Sequence, residues 1–160
     1  MIDTTRSLTD PVIDRIIHLS VWLPRTPEAI FRYFTDTALL QSWLTVRALV
    51  EPRVEGKYEL FWDPIDPDNN STVGCRITAF QQPDLLSFQW RSPKQFKVFA
   101  NGADPLTHVT VALIPQSGGT MLHLLHSGWR SNPEWGEARV WQERAWKMAL
   151  EALVQLAGKQ

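Results

Sequence analysis

His123 and His126 are the residues with the most obvious chemical potential. They stand three apart in HLLHSGW, residues 123–129. On a helix this spacing puts two imidazoles on one face, where they hold a metal or move a proton. On a strand it sends them to opposite faces. The β-rich context favours a strand, with Leu122, Leu124 and His126 on one side and Met121, His123 and Leu125 on the other. A shared metal site is therefore not expected, and His18 and His108 add no ligand spacing. Ser127 lacks the Gly-x-Ser-x-Gly elbow of an activated nucleophile. QSGGT (116–120) has no lysine and no strand-to-helix setting, so it reads as a hairpin turn and not as a phosphate cradle. Asp66 and Asp68 fall in a turn, where solvated carboxylates are the ordinary occupants. Cys75 is the single cysteine, which excludes an intramolecular disulfide, argues against a cysteine-based zinc site and suits a small buried hydrophobe. No cofactor and no metal are expected.

The aromatic residues say more. Eight tryptophans in 160 residues bring large apolar surfaces, each with an N–H that needs a partner. Period-two spacing puts Tyr58, Leu60 and Trp62 on one strand face, Leu86, Phe88 and Trp90 on another, and Val109, Val111 and Leu113 on a third. Most such residues are core packing. Gln142 is the exception in kind: helical periodicity puts it near the centre of an apolar face, among Ala138, Trp141, Ala145 and Trp146. A buried amide needs a polar side chain, a water or a ligand.

The elements that must position these groups follow from the same patterns. IDRIIHLSVWL (13–23) is a strand that stops at Pro24. Thr26 and Pro27 open a short helix with Ile30, Phe31 and Phe34 on one face, and Asp36 caps a second from Thr37 to Trp43. Six more strand patterns begin at Thr45, separated by Pro, Gly, Asn and Asp clusters. Residues 92–105 read either as a mobile flap or as a distorted strand pair. A long helix closes the chain, capped at Asn132, with Ala138, Trp141, Ala145, Trp146, Ala149, Leu150, Leu153 and Leu156 on its apolar face. Residues 1–12 are expected to be a flexible segment and 13–160 one domain of α+β class, a meander of antiparallel strands around the last helix. Sixteen basic and 17 acidic residues give a net charge of −1, which offers no electrostatic case for nucleic acid. No apolar run approaches the ~18 residues of a membrane span and no signal-peptide pattern opens the chain, so a cytoplasmic setting without membrane insertion is expected.

TPEAIFRYFTDTALLQSWL, VEGKYELFW, GCRITAFQQPDLLSFQW, HVTVALIPQSGGTMLHLLHSGW and the Trp-rich last helix together resemble the family related to the activator of heat-shock protein 90 ATPase. That family lies within the START-like, helix-grip superfamily, also called SRPBCC. The resemblance covers roughly residues 14–157. It implies a curved seven-stranded antiparallel sheet wrapped around the C-terminal helix, two short helices after the first strand, and a cavity between sheet and helix for an apolar molecule. It also brings a link to the stress response. The chain departs where a glycine pair is frequent and Glu55-Gly56 stands instead. No counterpart of the extra N-terminal docking domain of the eukaryotic co-chaperone is expected, so co-chaperone activity is not carried over.

With that cavity supplied, the expected ligand-binding set is Trp43, Tyr58, Trp62, Trp90, Trp129 and Trp141, with His126 and Gln142 as polar handles. The leading expectation is binding of a small hydrophobic or aromatic molecule by a monomer or dimer. One alternative is a cyclase- or aromatase-like enzyme with His126 as acid or base, although no second catalytic partner presents itself. The other is a chaperone-linked module that binds a protein partner through an exposed apolar patch.

Overall fold

The computed structural model describes residues 15–158; the expected flexible segment 1–12 lies outside them. β1 (Ile17–Leu23) ends at Pro24, and the chain turns into α1 (Pro27–Thr35). The α1 start follows the expected chemistry: Thr26 Oγ1 accepts from Ala29 N–H at 3.2 Å and Pro27 occupies the first turn. Asp36 closes α1 and opens α2 (Thr37–Trp43), its Oδ1 accepting from Leu39 N–H at 3.1 Å. β2 (Arg47–Val50), β3 (Tyr58–Phe61), β4 (Ile77–Gln81) and β5 (Leu85–Gln89) follow. After a short helical segment come β6 (His108–Gln116), β7 (Gly119–Ser127) and a closing helix of 26 residues, Pro133–Gly158.

Seven antiparallel strands lie among the described residues, and the fold is α+β as expected. They do not make one unbroken sheet. Five form the order β1-β7-β6-β5-β4, and β2-β3 form a separate ribbon. The ribbon is held to the β4 side by a bridge between Lys57 and Arg76 and by Tyr58 N–H donating to Cys75 O at 2.9 Å. The loop before β3 also pairs with β4: Glu55 N–H donates to Ile77 O and Ile77 N–H to Gly56 O, both at 2.8 Å. Gly56 lies so close to the Glu51 carbonyl that a Cβ there would sit 2.1 Å from its oxygen. Glu55 takes the left-handed conformation (φ 68°) in place of the family's first glycine. The β6–β7 turn is as the sequence indicates: Ser117 and Gly118 both have positive φ, as a two-residue hairpin of type I′ requires.

The inner face of the five-stranded sheet carries the expected rows. Leu86, Phe88 and Trp90, Val109, Val111 and Leu113, and Leu122, Leu124 and His126 are all buried. Register stacks them: Val109 opposes His126, Val111 opposes Leu124, and Leu113 opposes Leu122. The long helix supplies Trp135, Ala138, Gln142, Trp146, Leu150, Leu153 and Ala157 to the same core, at three- and four-residue steps. This helix, α4 when the short one at Lys97–Ala100 is counted as α3, buries a narrower stripe than its periodicity suggests. Trp141 is 40 % exposed, and Ala145, Ala149 and Leu156 are half-buried. Residues 92–105 are neither strand pair nor open loop. A 3-10 turn (Lys94–Phe96) runs into α3, and Phe96 and Phe99 pack edge-on against Trp141 and Trp135.

Candidate functional site

The narrow stripe on α4 leaves room beside it. Ala145, Ala149 and Ala152 line up along the flank of the helix, and where alanines stand the wall recedes. The space is closed by α2 through Trp43 and Leu44, by the segment after β3 through Trp62, Asn70 and Ser71, and by the segment after β5 through Trp90, Arg91, Pro93 and Gln95. Trp141, Gln142, Trp146 and Met148 complete it from α4. The cavity holds about 510 Å³.

Four of its five tryptophans, all but Trp141, are fixed by their own polar ends. Trp43 Nε1–H donates to Tyr33 O at 2.9 Å and Trp62 Nε1–H to Leu44 O at 2.8 Å. Trp90 Nε1–H donates to Gln142 Oε1 at 3.3 Å, and Trp146 Nε1–H to His126 Nδ1 at 3.0 Å. With these N–H groups engaged, what remains for a guest is ring face and ring edge. Trp90 stands at the centre, edge-on to Trp62 at 5.7 Å and tilted against Trp146 at 5.0 Å between ring centroids.

Of the eight residues the sequence singles out, Trp43, Trp62, Trp90, Trp141 and Gln142 line this cavity, and Tyr58, His126 and Trp129 do not. Tyr58 is sealed, stacked on Phe88 at 4.0 Å with its hydroxyl donating to Phe34 O at 2.7 Å. Burial pushes that hydroxyl far above the ordinary phenol range. Trp129 packs on His126 and donates to its carbonyl at 3.0 Å.

His126 lies behind Trp90 and Trp146 and is completely buried. An indole nitrogen can only donate, so His126 Nδ1 must be the acceptor of the Trp146 bond, and the ring proton sits on Nε2. That N–H donates to Thr107 Oγ1 at 3.0 Å. Burial, with a smaller contribution from His108, pushes the imidazole down to about 3. Both ring nitrogens are engaged and the ring is neutral, so the expected acid–base role has neither a free nitrogen nor a route to a guest. The pair of histidines is split as strand geometry demands: His123 lies on the outer face, its Nδ1 3.1 Å from His18 Nε2. Among the described residues no group of three or more histidines, cysteines, aspartates or glutamates could hold a metal.

Several cavity residues escaped the sequence reading. Arg91 is one, because its exposure depends on how the chain leaves β5. Asn70 and Gln95 are others, brought in by long connections. The alanines at 145, 149 and 152 carried a legible signal: small residues at helical spacing beside Trp141 mark a hollow as well as a core.

The family described as Activator of Hsp90 ATPase homolog 1-like protein matches residues 24–158 of the chain. No curated protein matches it in sequence. Among solved structures, a protein from Mesorhizobium loti is similar at TM-score 0.72 and 24 % identity, covering 91 % of this chain and 98 % of that one. The Aha1 dimer from Colwellia psychrerythraea is similar at TM-score 0.67 and 15 % identity, covering 91 % and 98 %. An HSP90 activator from Plasmodium falciparum is similar at TM-score 0.66 and 20 % identity, covering 89 % and 96 %. At these identities the likeness bears on the fold.

Proposed function

The chain belongs to the Activator of Hsp90 ATPase homolog 1-like family, and from that premise and its tryptophan-walled cavity we propose that it binds a small apolar or aromatic molecule. The observation that carries the reading is the cavity itself. About 510 Å³ lies within the range of roughly 300–1,000 Å³ usual for small-molecule sites, and its walls are mostly apolar with a few placed polar groups. Trp43, Trp62, Trp90 and Trp141 are the contacts we assign, with Gln142 as a polar handle. His126, Tyr58 and Trp129 support the wall from behind. No described helix is long and apolar enough to cross a membrane.

A protein-docking role has one observation on its side. Ile65 and Val98 are almost fully exposed, on the same two segments that carry Asn70 and Gln95 to the cavity. Two of the similar structures are an Aha1 dimer and an HSP90 activator, which makes a chaperone the competing partner. Native mass spectrometry of the purified protein, followed by titration with aromatic and fatty-acid probes under tryptophan fluorescence, separates the readings. A co-purified small molecule, or a saturable probe response, supports the cavity. A bare mass with no response to any probe refutes it, and a stable protein partner then favours docking.

A further inference from the structure

The cavity has an apolar wall and one charge. Among its lining residues only Arg91 is ionised. None of the ion pairs among the described residues involves it. Arg91 Nη1–H donates to Asn101 O at 3.1 Å, and Nη2 points toward Gly74, lying 3.6 Å from where a Cβ would stand. Its Nε–H is buried with no hydrogen-bond partner among the described residues. Neither neighbour forms an ion pair with it. The Cys75 thiol is hydrogen-bonded to the Arg91 side chain, but burial pushes it up to about 12, so it is neutral. Glu59, the buried carboxylate on that side, accepts from Gly74 N–H through Oε2 at 2.8 Å.

Of the three amides in the wall, Gln95 is exposed and its side chain has no hydrogen-bond partner among the described residues, while the other two share one bias. Because the Trp90 indole can only donate, Gln142 must present Oε1 to it, which leaves the Nε2 hydrogens without a protein partner. Asn70 Oδ1 is taken by Lys94 N–H at 3.0 Å, which leaves its Nδ2 hydrogens in the same position. The unengaged groups of Arg91, Gln142 and Asn70 are thus all N–H donors, and no lining residue carries a carboxylate. A guest whose polar end is a donor would find no acceptor in the Arg91, Gln142 and Asn70 cluster, only the exposed Gln95 amide oxygen. A guest ending in an acceptor satisfies the amides, and an anionic one also neutralises the guanidinium, whose planar fork matches a carboxylate.

We propose that the cavity selects apolar or aromatic carboxylic acids, the carboxylate meeting Arg91 with the Gln142 and Asn70 amides as supporting donors. This rests on the cavity being a ligand site. The test is calorimetric titration with matched pairs, decanoic acid against decanamide and cinnamic acid against cinnamamide. Measurements use the wild type, Arg91→Gln and Arg91→Lys at neutral pH. In the wild type each acid should bind about tenfold or more tighter than its amide, the scale of one charge-assisted hydrogen bond. Arg91→Gln should remove that gap and leave amide affinity in place, and Arg91→Lys should keep part of it. Should Arg91→Gln fail to fold, the Arg91 Nε–H resonance of the wild type gives the same answer: it should shift with the acid and not with the amide. Equal binding of acid and amide, or a gap that survives in Arg91→Gln, overturns the selectivity and leaves the binding site standing. Absence of binding by any of the four probes sinks both.

Discussion

A histidine with both nitrogens engaged is a structural device, and His126 should betray this through pH. The folded protein holds the ring neutral down to about 3, while a histidine in the unfolded chain takes its proton near 6.5. Above 6.5 the two states bind equal protons at this site and the stabilisation is complete. Below it the unfolded chain binds a proton the folded one refuses, so stability falls as the pH falls, by about 1.4 kcal/mol per unit. His126→Gln keeps an acceptor for Trp146 and a donor for Thr107 but cannot titrate. Urea unfolding between pH 6.5 and 5 should therefore show a steeper loss of stability in the wild type than in this variant. Parallel profiles would mean that the ring is open to solvent protons. The slope from His108, whose burial also lowers its pKa, should remain in both proteins.

At the scale of elements, α4 serves two surfaces at once. Its core stripe anchors the sheet: Leu153 is fully buried, so Leu153→Asp places an unpaired charge in the core and should unfold the domain. Met148, five residues earlier on the cavity flank and 71 % exposed, should accept aspartate with a change within about 0.5 kcal/mol. Thermal melts of the two variants check the assignment, and similar melts would put the stripe on the wrong face. One side chain clamps the two ends of the segment after β5. Asn101 Oδ1 accepts from Ser92 N–H at 2.7 Å and its Nδ2–H donates to Ser92 O at 2.9 Å, closing the segment that carries Pro93 and Gln95 to the cavity. Asn101→Ala should speed amide exchange across 94–100 while β6, at 108–116, stays protected. Unchanged exchange at 94–100 would show that the packing of Phe96 and Phe99 alone holds the segment.

For the molecule as a whole, an occupied cavity should be a more stable fold, because the walls come from α2, two strand ends and α4. A guest at a hundredfold excess over Kd adds about 2.7 kcal/mol. For a chain of this length that corresponds to a rise in Tm of roughly 5–10 °C. Melting in the presence of a bound probe measures it, and a probe that binds without moving Tm binds the unfolded chain as well and does not occupy a site that folding builds.

Alternation and capping are properties of neighbours along the chain, and they carried most of the architecture. Thr26, Pro27 and Asp36 specify the two short helices, and period-two rows specify which side of β5, β6 and β7 meets the core. The opposite fates of His123 and His126 followed from strand geometry alone. Residues 92–105 resisted because their helical turns are held by distant partners: Asn70 for Lys94, Trp141 for Phe96 and Trp135 for Phe99. The site was half legible for the same reason. That Gln142 needs a partner can be read from its helix face, but that Trp90 is the partner depends on where β5 ends relative to α4. Nor can a pattern of apolar residues say which of them touch each other and which face a void. His126 shares its row with Leu122 and Leu124, yet two tryptophan rings separate it from the cavity. Arg91, a charge beside a strand end, became the cavity's one ion only when tertiary packing closed an apolar wall around it.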